Sequence, residues 1–396
     1  MDSSYRALLG RAAARDMVAA LGAAWLSFGM LPLALFLAAH RATGSSGSAG
    51  LAVGAFSAGA GLLAPVRGRL IDRHGVRRRL PGFAAGYALA LIAFSVLAAL
   101  RAPIWALVAC AAAAGASAPP LVATLRMLWA RVVEPPLLRR AYALTSLVGD
   151  VGLVAAPAGA ALLFAAASWS PLVVCTAAAV VATGIAVRSA QPPSSHLTGD
   201  RIAAPAPARG GMRPLLAVSV ALGASLGLVE VAVPSAAARW HAVTASGPLL
   251  GAFALGSVAG GLWFGRRAWR RPPEERYLIA VLALALALAP PLVATGPWEL
   301  GPLLAVAGLA YGPATISLFE ALDSLAPTGG AEALTWVTTA EAIGGAAGAA
   351  VSGWATTRLG TWAPFTAASI VLTAASAAAL VRGTGFTAAA RTRRLR

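Results

Sequence analysis

The chain has 396 residues, of which 59% are hydrophobic and 11% are charged. A soluble domain carries roughly 25% charged residues, so this composition excludes a soluble protein and indicates an integral membrane protein. The formal net charge is +17, but the arginines stand in short clusters between apolar runs. That distribution excludes the continuous basic face by which a polar domain binds nucleic acid.

Apolar runs long enough to cross a bilayer follow one another along the chain. Twelve are predicted, at about 17–39, 49–66, 81–100, 103–126, 141–166, 171–187, 214–238, 247–265, 277–295, 302–325, 332–357 and 362–381. A polar stretch rich in proline and serine, 188–213, separates the sixth run from the seventh and predicts a linker. The predicted fold is therefore an all-α integral membrane protein with a six-helix half at 1–187 and another at 214–396.

The arginines predict how these runs are oriented. Twenty-six of them fall in the segments that would be cytoplasmic if the N-terminus is inside, and only four fall in the outer loops. Positively charged loops stay on the cytoplasmic side of a membrane. We therefore expect a multi-pass protein of the cytoplasmic (inner) membrane with both termini in the cytoplasm.

The two halves repeat short motifs in the same order. Ala20–Ala23 in the first run recurs as Ala221–Ala224 in the seventh, and Gly54-Ala55-Phe56-x-x-Gly59 in the second run recurs as Gly251-Ala252-Phe253-x-x-Gly256 in the eighth. Such repeats indicate a duplication of six helices. Two like halves predict a substrate cavity between them, near the middle of the bilayer.

The connection between the second and third runs is highly basic. It reads Gly68-Arg69-Leu70-Ile71-Asp72-Arg73-His74-Gly75-Val76-Arg77-Arg78-Arg79-Leu80 and by composition predicts a tight cytoplasmic turn. In order and spacing it closely resembles the loop signature of the major facilitator superfamily. Together with twelve runs, a central linker and the repeat, the resemblance covers nearly the whole chain. It implies the twelve-helix, pseudo-symmetric fold of that superfamily and transport by alternating access.

The resemblance also implies that this connection is a latch, meaning an ion-paired contact that ties the two halves together on the cytoplasmic side. The residues that would form or shape it are Gly68, Asp72, Arg73, Gly75, Arg77 and Arg78. Glycine would let the helix backbones approach and the chain turn sharply. The alternative, that the arginines only fix the topology, stays open.

A second motif, in the fifth run, also has a counterpart in the superfamily. Gly152, Pro157 and Gly159 resemble the proline-glycine motif of its bacterial drug–proton antiporter branches, which bends the helix. This likeness favours efflux of drugs or metabolites.

Three acidic residues lie well inside predicted membrane runs: Glu230, Asp150 and Glu341. Glu320 and Asp323 stand at the cytoplasmic end of the tenth run. A carboxylate at the centre of a bilayer costs roughly 2.5–3.5 kcal/mol on insertion scales, so each of the first three is a candidate for proton coupling. The alternative is a structural ion pair. Arg126, near the cytoplasmic end of the fourth run, is a candidate partner for Asp150.

Aromatic residues are scarce inside the runs. Trp25, Tyr311 and Trp336 lie in runs that the resemblance places around the central cavity, so they are candidate cavity residues, with packing or lipid contact as the alternative. No Walker motif occurs, and the four histidines lie near loops or run ends. We therefore expect neither a metal nor a cofactor, and no enzymatic activity.

These observations predict a secondary transporter that couples protons to the export of a small, fairly apolar organic molecule. Uptake or exchange of sugars or other metabolites by the same fold is an alternative, and a non-transporting membrane scaffold or sensor is another. The expected partners are the substrate, protons and the lipid bilayer. One chain suffices for the fold, so a functional monomer is expected.

Overall fold

The computed structural model describes residues 10–190, 212–267, 269–289, 291, 294–325 and 330–381. These ranges contain α-helices, one 3-10 turn at Val243–Ala245 and no strand. The helices are α1 (Ala12–Thr43), α2 (Ser46–Leu62), α3 (Ala64–His74), α4 (Val76–Ala99), α5 (Ile104–Ser117), α6 (Leu121–Val132), α7 (Pro135–Ala166), α8 (Ser170–Ser189), α9 (Met212–Arg239), α10 (Ser246–Gly265), α11 (Pro273–Ala287), α12 (Pro297–Leu325), α13 (Gly330–Arg358) and α14 (Ala363–Val381).

Each predicted apolar run overlaps a helix. Within the described ranges, nine helical segments are long and apolar enough to cross a bilayer, and the bent pair α2–α3 makes a tenth. The other two runs correspond to α11 and α13. The end predicted for the ninth run, 295, is wrong, because α11 has 15 residues and ends at Ala287. Helix α13 is longer but contains several polar residues, Glu341 among them.

Proline breaks one predicted span and marks a bend in another. The fourth run, predicted as continuous, is interrupted at Pro119-Pro120, so that α5 ends at Ser117 and α6 begins at Leu121. Proline has no backbone N–H and cannot continue the hydrogen bonds of the preceding turn. The second run bends by 42° between α2 and α3, where Pro65 occupies the first turn of α3.

The basic connection is mostly helical, which corrects the prediction that Gly68–Leu80 as a whole is a turn. Residues up to His74 belong to α3, and α4 starts at Val76. The turn is confined to Gly75, whose φ of 81° and ψ of 155° are readily adopted only by glycine. Gly68 lies inside α3, and a methyl group added there would meet no atom within 4 Å. The chain therefore turns at one of the two glycines only.

Buried apolar residues form two clusters. The first is built from residues 14–190 together with Val231 and Ala349, and the second is built from residues 212–379. Most of the predicted linker, 191–211, lies outside the described residues. Each cluster holds one set of helices together, and only two buried residues of the later helices join the first cluster.

Two pairs of helices form most of the contact between the sets. The larger surface joins α2 to α13, and the smaller joins α7 to α10. Small residues line the first: a methyl group on Gly50 would lie 2.6 Å from the carbonyl oxygen of Ala349, and one on Gly54 would lie 2.8 Å from that of Ala346. On the second surface, a methyl group on Gly247 would lie 2.5 Å from the carbonyl oxygen of Pro157. The backbones on both surfaces are therefore in near contact.

The two glycines of the repeated motif make equivalent helix contacts in each set. Its first glycine faces the other set of helices, since Gly54 packs on α13 and Gly251 packs on α7. Its second glycine faces a helix of its own set: Gly59 packs on α5 and Gly256 packs on α12. The two sets are therefore related by pseudo-symmetry in their contacts as well as in their sequence.

The helix ends define two faces. We call the end that carries the start of α1 and residues 67–79 the basic face, and the end that carries the α1–α2 connection the opposite face. The contacts between α7 and α10 lie near the opposite face, at Gly247 and Gly251. Further towards the basic face, Leu147 of α7 and Leu262 of α10 are exposed.

A methyl group at Gly115 should destabilise the protein, because it would lie 2.1 Å from the carbonyl oxygen of Phe56 on α2. Overpacking of this kind costs about 1–3 kcal/mol, so we expect Gly115→Ala to lower the thermal unfolding midpoint in detergent. The matched control is Gly22→Ala in α1, where nothing lies within 4 Å. Alanine is the better helix former by about 1 kcal/mol, so Gly22→Ala should be neutral or stabilising. Equal midpoints for the two variants would contradict the close approach of α2 and α5.

Candidate functional site

Two of the three predicted membrane acids lie near one tyrosine. Glu230 is on α9 and Glu341 is on α13, and Tyr311 of α12 interacts electrostatically with both. Glu341 also interacts electrostatically with Tyr277 of α11. Four helices of the second set thus bring two carboxyl groups and two phenol groups into one cluster, which we call the acid–tyrosine cluster.

Close packing of α9 on α13 fixes the level of Glu341. A methyl group on Gly223 of α9 would lie 2.1 Å from the backbone oxygen of Glu341. Gly223 precedes Glu230 by two helical turns, so the two acids stand roughly 10 Å apart along the helix axes. Farther along, the buried hydroxyl of Ser352 donates a hydrogen bond of 2.8 Å to the Leu228 carbonyl and ties α13 to α9.

Within the described ranges, the two carboxyl groups of the cluster have no cationic partner. Glu230 and Glu341 are each half-buried, and neither forms an ion pair with any residue that the structure describes. The third candidate, Asp150, is on α7, but its side chain lies outside the described part of the chain. Arg126 is exposed on α6. The ion pair between Asp150 and Arg126 stays a prediction.

The three aromatic candidates have different surroundings. Trp25 of α1 packs on α7, where a methyl group on Gly149 or Gly152 would lie within about 3 Å of its side chain. Tyr311 contacts Phe253, with ring centroids 5.4 Å apart. Trp336 of α13 is 43% exposed. Their role in lining a cavity stays a prediction.

The motif in α7 contributes two contacts. Gly152 accommodates Trp25, as a methyl group there would lie 2.7 Å from the Cβ atom of that tryptophan. The carbonyl of Pro157 faces Gly247 of α10, and Gly159 has open space beside it. The helix runs from Pro135 to Ala166 through all three residues. The predicted bending of α7 by this motif stays a prediction.

Three arginines of the basic connection point away from the core. Arg73, Arg77 and Arg78 are exposed, and none forms an ion pair with a described residue. The side chain of Asp72 lies outside the described part of the chain. The latch therefore stays a prediction, and Gly75 is the member of it whose backbone conformation has a clear structural reason.

Sequence reasoning missed Arg67, which is only 6% exposed. Its guanidinium donates hydrogen bonds to the carbonyl oxygens of Ala60 at 2.6 Å, Ala116 at 3.2 Å and Gly115. The last two carbonyls belong to the end of α5, where the helix dipole favours a cation. Arg67 thus joins the α2–α3 bend to the α5–α6 break. The sequence signals for this contact were the Pro119-Pro120 pair and the position of Arg67 two residues after Pro65.

At the basic face, the second set of helices makes different contacts from the first. Arg276 of α11 forms an ion pair of 2.7 Å with Glu320 of α12. Trp269 stands where the repeat aligns Asp72, and its indole N–H donates a hydrogen bond of 2.9 Å to the Phe264 carbonyl. The second connection is also rich in arginine, and here an ion pair between helices and an aromatic residue in place of Asp72 distinguish it from the first.

A polar cavity of about 330 Å³ lies between the two sets at the opposite face. It is lined from one side by His40 and Ser45 and from the other by Ser235, Arg239 and Thr357. The described ranges contain no group of three or more histidine, cysteine, aspartate or glutamate residues that could hold a metal ion.

The chain belongs to the Major Facilitator Superfamily, whose sequence model matches residues 17–349. The structure is similar to that of the nucleoside transporter NupG, with a TM-score of 0.73 and 15% identity over 93% of this chain and 99% of that one. It is also similar to a bacterial homologue of the iron transporter ferroportin in its inward-facing state, with a TM-score of 0.66 and 16% identity over 94% and 98% of the two chains. For the human organic anion transporter MFSD10 the TM-score is 0.60 and the identity 18%, over 91% and 97%.

No functionally curated protein sequence matches the chain. The family assignment and the helical architecture predicted from the sequence are confirmed, and the protein is a multi-pass membrane transporter rather than an enzyme.

Replacing Arg67 should destabilise the first set of helices. In Arg67→Met three backbone carbonyls lose a charged donor, and hydrogen bonds of that kind contribute about 1.5–3 kcal/mol each. We expect a clearly lower thermal unfolding midpoint in detergent. Arg69→Met, two residues farther along α3 and exposed, is the matched control and should unfold like the unmodified protein. If both variants unfold alike, Arg67 does not hold the two helix breaks together.

Proposed function

We propose that this member of the Major Facilitator Superfamily couples protons to the export of a small, fairly apolar organic molecule. The observation that carries the proposal is the acid–tyrosine cluster, in which Glu230 and Glu341 stand around Tyr311 without an ion pair to any described residue. Uncompensated acids in membrane helices are costly and are found where they are used.

Proton exchange gives such an acid a function. A carboxyl group in a membrane costs less when it carries its proton, so a change in its surroundings during the transport cycle can take up or release one. A proton that moves down a membrane potential supplies about 2.3 kcal/mol per 100 mV, plus any pH gradient. Glu341 is the better placed of the two for coupling to movement, because its backbone lies at the contact between α9 and α13.

Alternating access would use the two surfaces between the sets of helices. Both surfaces are lined by glycine and alanine, which bring the helix backbones close together and leave few side chains interlocked between the sets. The α7–α10 contacts are near the opposite face, and side chains of both helices are exposed towards the basic face. This arrangement supports a conformation that is open at the basic face and narrowed at the opposite face.

The expected class of substrate follows from the side chains at the surfaces between the two sets of helices. The side chains that flank the α2–α13 and α7–α10 surfaces are mainly Ala, Gly, Leu and Val. Such walls favour an apolar molecule over a highly charged one. The three similar proteins are named for nucleosides, organic anions and iron, so their likeness does not favour one substrate class.

The positions of the arginines support placing the basic face in the cytoplasm of a cell bounded by a cytoplasmic membrane. In the sequence, 26 arginines fall in segments predicted for that side and four in segments predicted for the other. Uptake of a metabolite through the same fold differs from export only in the direction of net flux. A non-transporting scaffold would have no use for the acid–tyrosine cluster.

Substitution of Glu341 tests the proposal. In liposomes with an imposed pH gradient, the wild-type protein should accumulate a solute chosen by thermal-shift screening of nucleosides, organic anions and apolar drugs. Glu341→Gln cannot release a proton, so we expect gradient-driven accumulation to fall at least tenfold while the protein stays folded. Glu275→Gln, an exposed acid on α11, is the matched control and should transport normally.

Two outcomes would count against proton coupling in this test. One is that solute accumulation by the wild-type protein does not depend on the pH gradient. The other is that Glu341→Gln and Glu230→Gln both keep full transport activity. Reversal of the gradient separates the directions. Export predicts movement opposite to the proton flux, and uptake predicts movement with it.

Substitution of Asp72 tests the latch. Asp72→Asn removes the charge that would pair with arginines, so we expect exchange of solute to slow several-fold without a change of orientation in the membrane. The matched control is Asp16→Asn, an exposed acid near the same face. Exchange rates in liposomes and protease access to the termini measure the two properties. An unchanged rate for Asp72→Asn would favour the alternative that this connection only fixes topology.

A further inference from the structure

A second cavity, of about 230 Å³, opens at the opposite face within the first set of helices. Its polar lining consists of Arg41 at the end of α1, Ser95 near the end of α4, Arg101 in the α4–α5 connection and Ser168 in the α7–α8 connection. Trp169 completes it. We propose that this cavity binds the phosphate group of an anionic phospholipid from the leaflet at the opposite face.

No acidic residue in the described part of the chain pairs with the arginines of this cavity. The sequence has no Asp or Glu between residues 17 and 71, 73 and 133, or 151 and 199, and these stretches supply every lining residue. Neither Arg41 nor Arg101 forms an ion pair with a described residue. Two like charges that share one cavity repel each other, and a bound anion removes that cost.

The backbone at Arg101 has a conformation that is unusual for arginine and that His241 shares at the end of α9. Its φ of 52° lies in the left-handed region. It closes α4 in the way that glycine usually does, with the Ala102 N–H donating to the Leu97 carbonyl at 2.9 Å. Glycine adopts this conformation without strain and arginine does not. A strained arginine at a position made for glycine indicates a role for the side chain.

The surroundings indicate a lipid rather than a free anion. Leu100 and Trp105 are each 72% exposed, and Trp169 is 58% exposed, so the cavity borders an apolar surface that faces the acyl chains. Tryptophan at a helix end is typical of the headgroup level of a bilayer. A phospholipid could place its phosphate between the two arginines, accept hydrogen bonds from the serines, and lay its acyl chains along the outer surface of α4 and α5. Two unpaired arginines favour an anionic over a zwitterionic headgroup.

Lipid titration of the purified full-length protein in detergent tests the site. The probes are palmitoyl-oleoyl phosphatidylglycerol, the corresponding phosphatidylcholine, and glycerol 3-phosphate as a phosphate without acyl chains. Bound lipid is counted by native mass spectrometry, and stability is followed by thermal unfolding. We expect phosphatidylglycerol to bind most tightly. Arg41→Gln and Arg101→Gln should each weaken it about fivefold, the ratio that corresponds to about 1 kcal/mol for each arginine.

Two further variants separate this site from a general effect of charge or folding. Arg358→Gln removes an exposed arginine at the same face but outside the cavity, and should bind phosphatidylglycerol like the wild-type protein. Arg101→Gly relieves the strained backbone, so without lipid it should be at least as stable as the wild-type protein, yet it should bind phosphatidylglycerol about fivefold more weakly.

Three results would overturn the proposal. They are equal binding of the two lipids, wild-type binding by Arg101→Gly, and saturation of the site by glycerol 3-phosphate with the affinity of the lipid. The last would assign the cavity to a soluble phosphate instead. The inference does not rest on the proposed transport activity, and none of these measurements uses it.

Discussion

Lipid chains are as apolar as leucine side chains, so helices in a bilayer gain little by hiding apolar surface against one another. Close contact between backbones takes the place of that gain, and in this protein glycine and alanine permit it. Gly115 against Phe56 in one set of helices, and Gly308 against Phe253 in the other, are equivalent positions of the repeat. Every larger arrangement, including the position of the acids, depends on helices that lie this close.

Helix α13 uses such contacts in two directions at once. Gly344 and Gly348 pack against α9 of the same set, while Ala346 and Gly353 pack against α2 of the other set. A helix packed closely on both sides cannot shift against one neighbour without disturbing the other. Glu341 belongs to this helix. A change in its protonation state would therefore act on the main surface between the two sets and not only on its own surroundings.

The parts of the fold that the sequence predicted follow from averages over many residues or from short motifs with specific residues and spacing. Hydropathy over a membrane's depth located the helices, and the motif Gly54–Gly59 with its repeat indicated pseudo-symmetry. The loop signature led to the right family. The end of α11 was misplaced because leucine-rich and alanine-rich sequence continues past Ala287, where the helix stops.

What the sequence could not predict depends on contacts between distant segments. Arg67 looked like one more basic residue at a helix end, because its three carbonyl partners come from two different breaks. Arg41 and Arg101 are sixty residues apart and share a cavity only through the packing of α1 on α4. Glu230 and Glu341 stand out in the sequence as acids within apolar runs, but their common neighbour Tyr311 is visible only in three dimensions.

A short series of contacts joins the candidate proton site to the basic connection. Ala342 follows Glu341 and touches Gly61 of α2, where an added methyl group would lie 2.1 Å from its Cβ atom. The neighbouring carbonyl, that of Ala60, accepts a hydrogen bond from Arg67 in α3. Proximity alone does not establish coupling, which requires an element with two arrangements that both sites influence. The 42° bend between α2 and α3 lies within this series, with Gly61 and Arg67 on its two sides. Arg67 fixes that bend in the present conformation, because its guanidinium joins the end of α2 to the end of α5 from its place in α3.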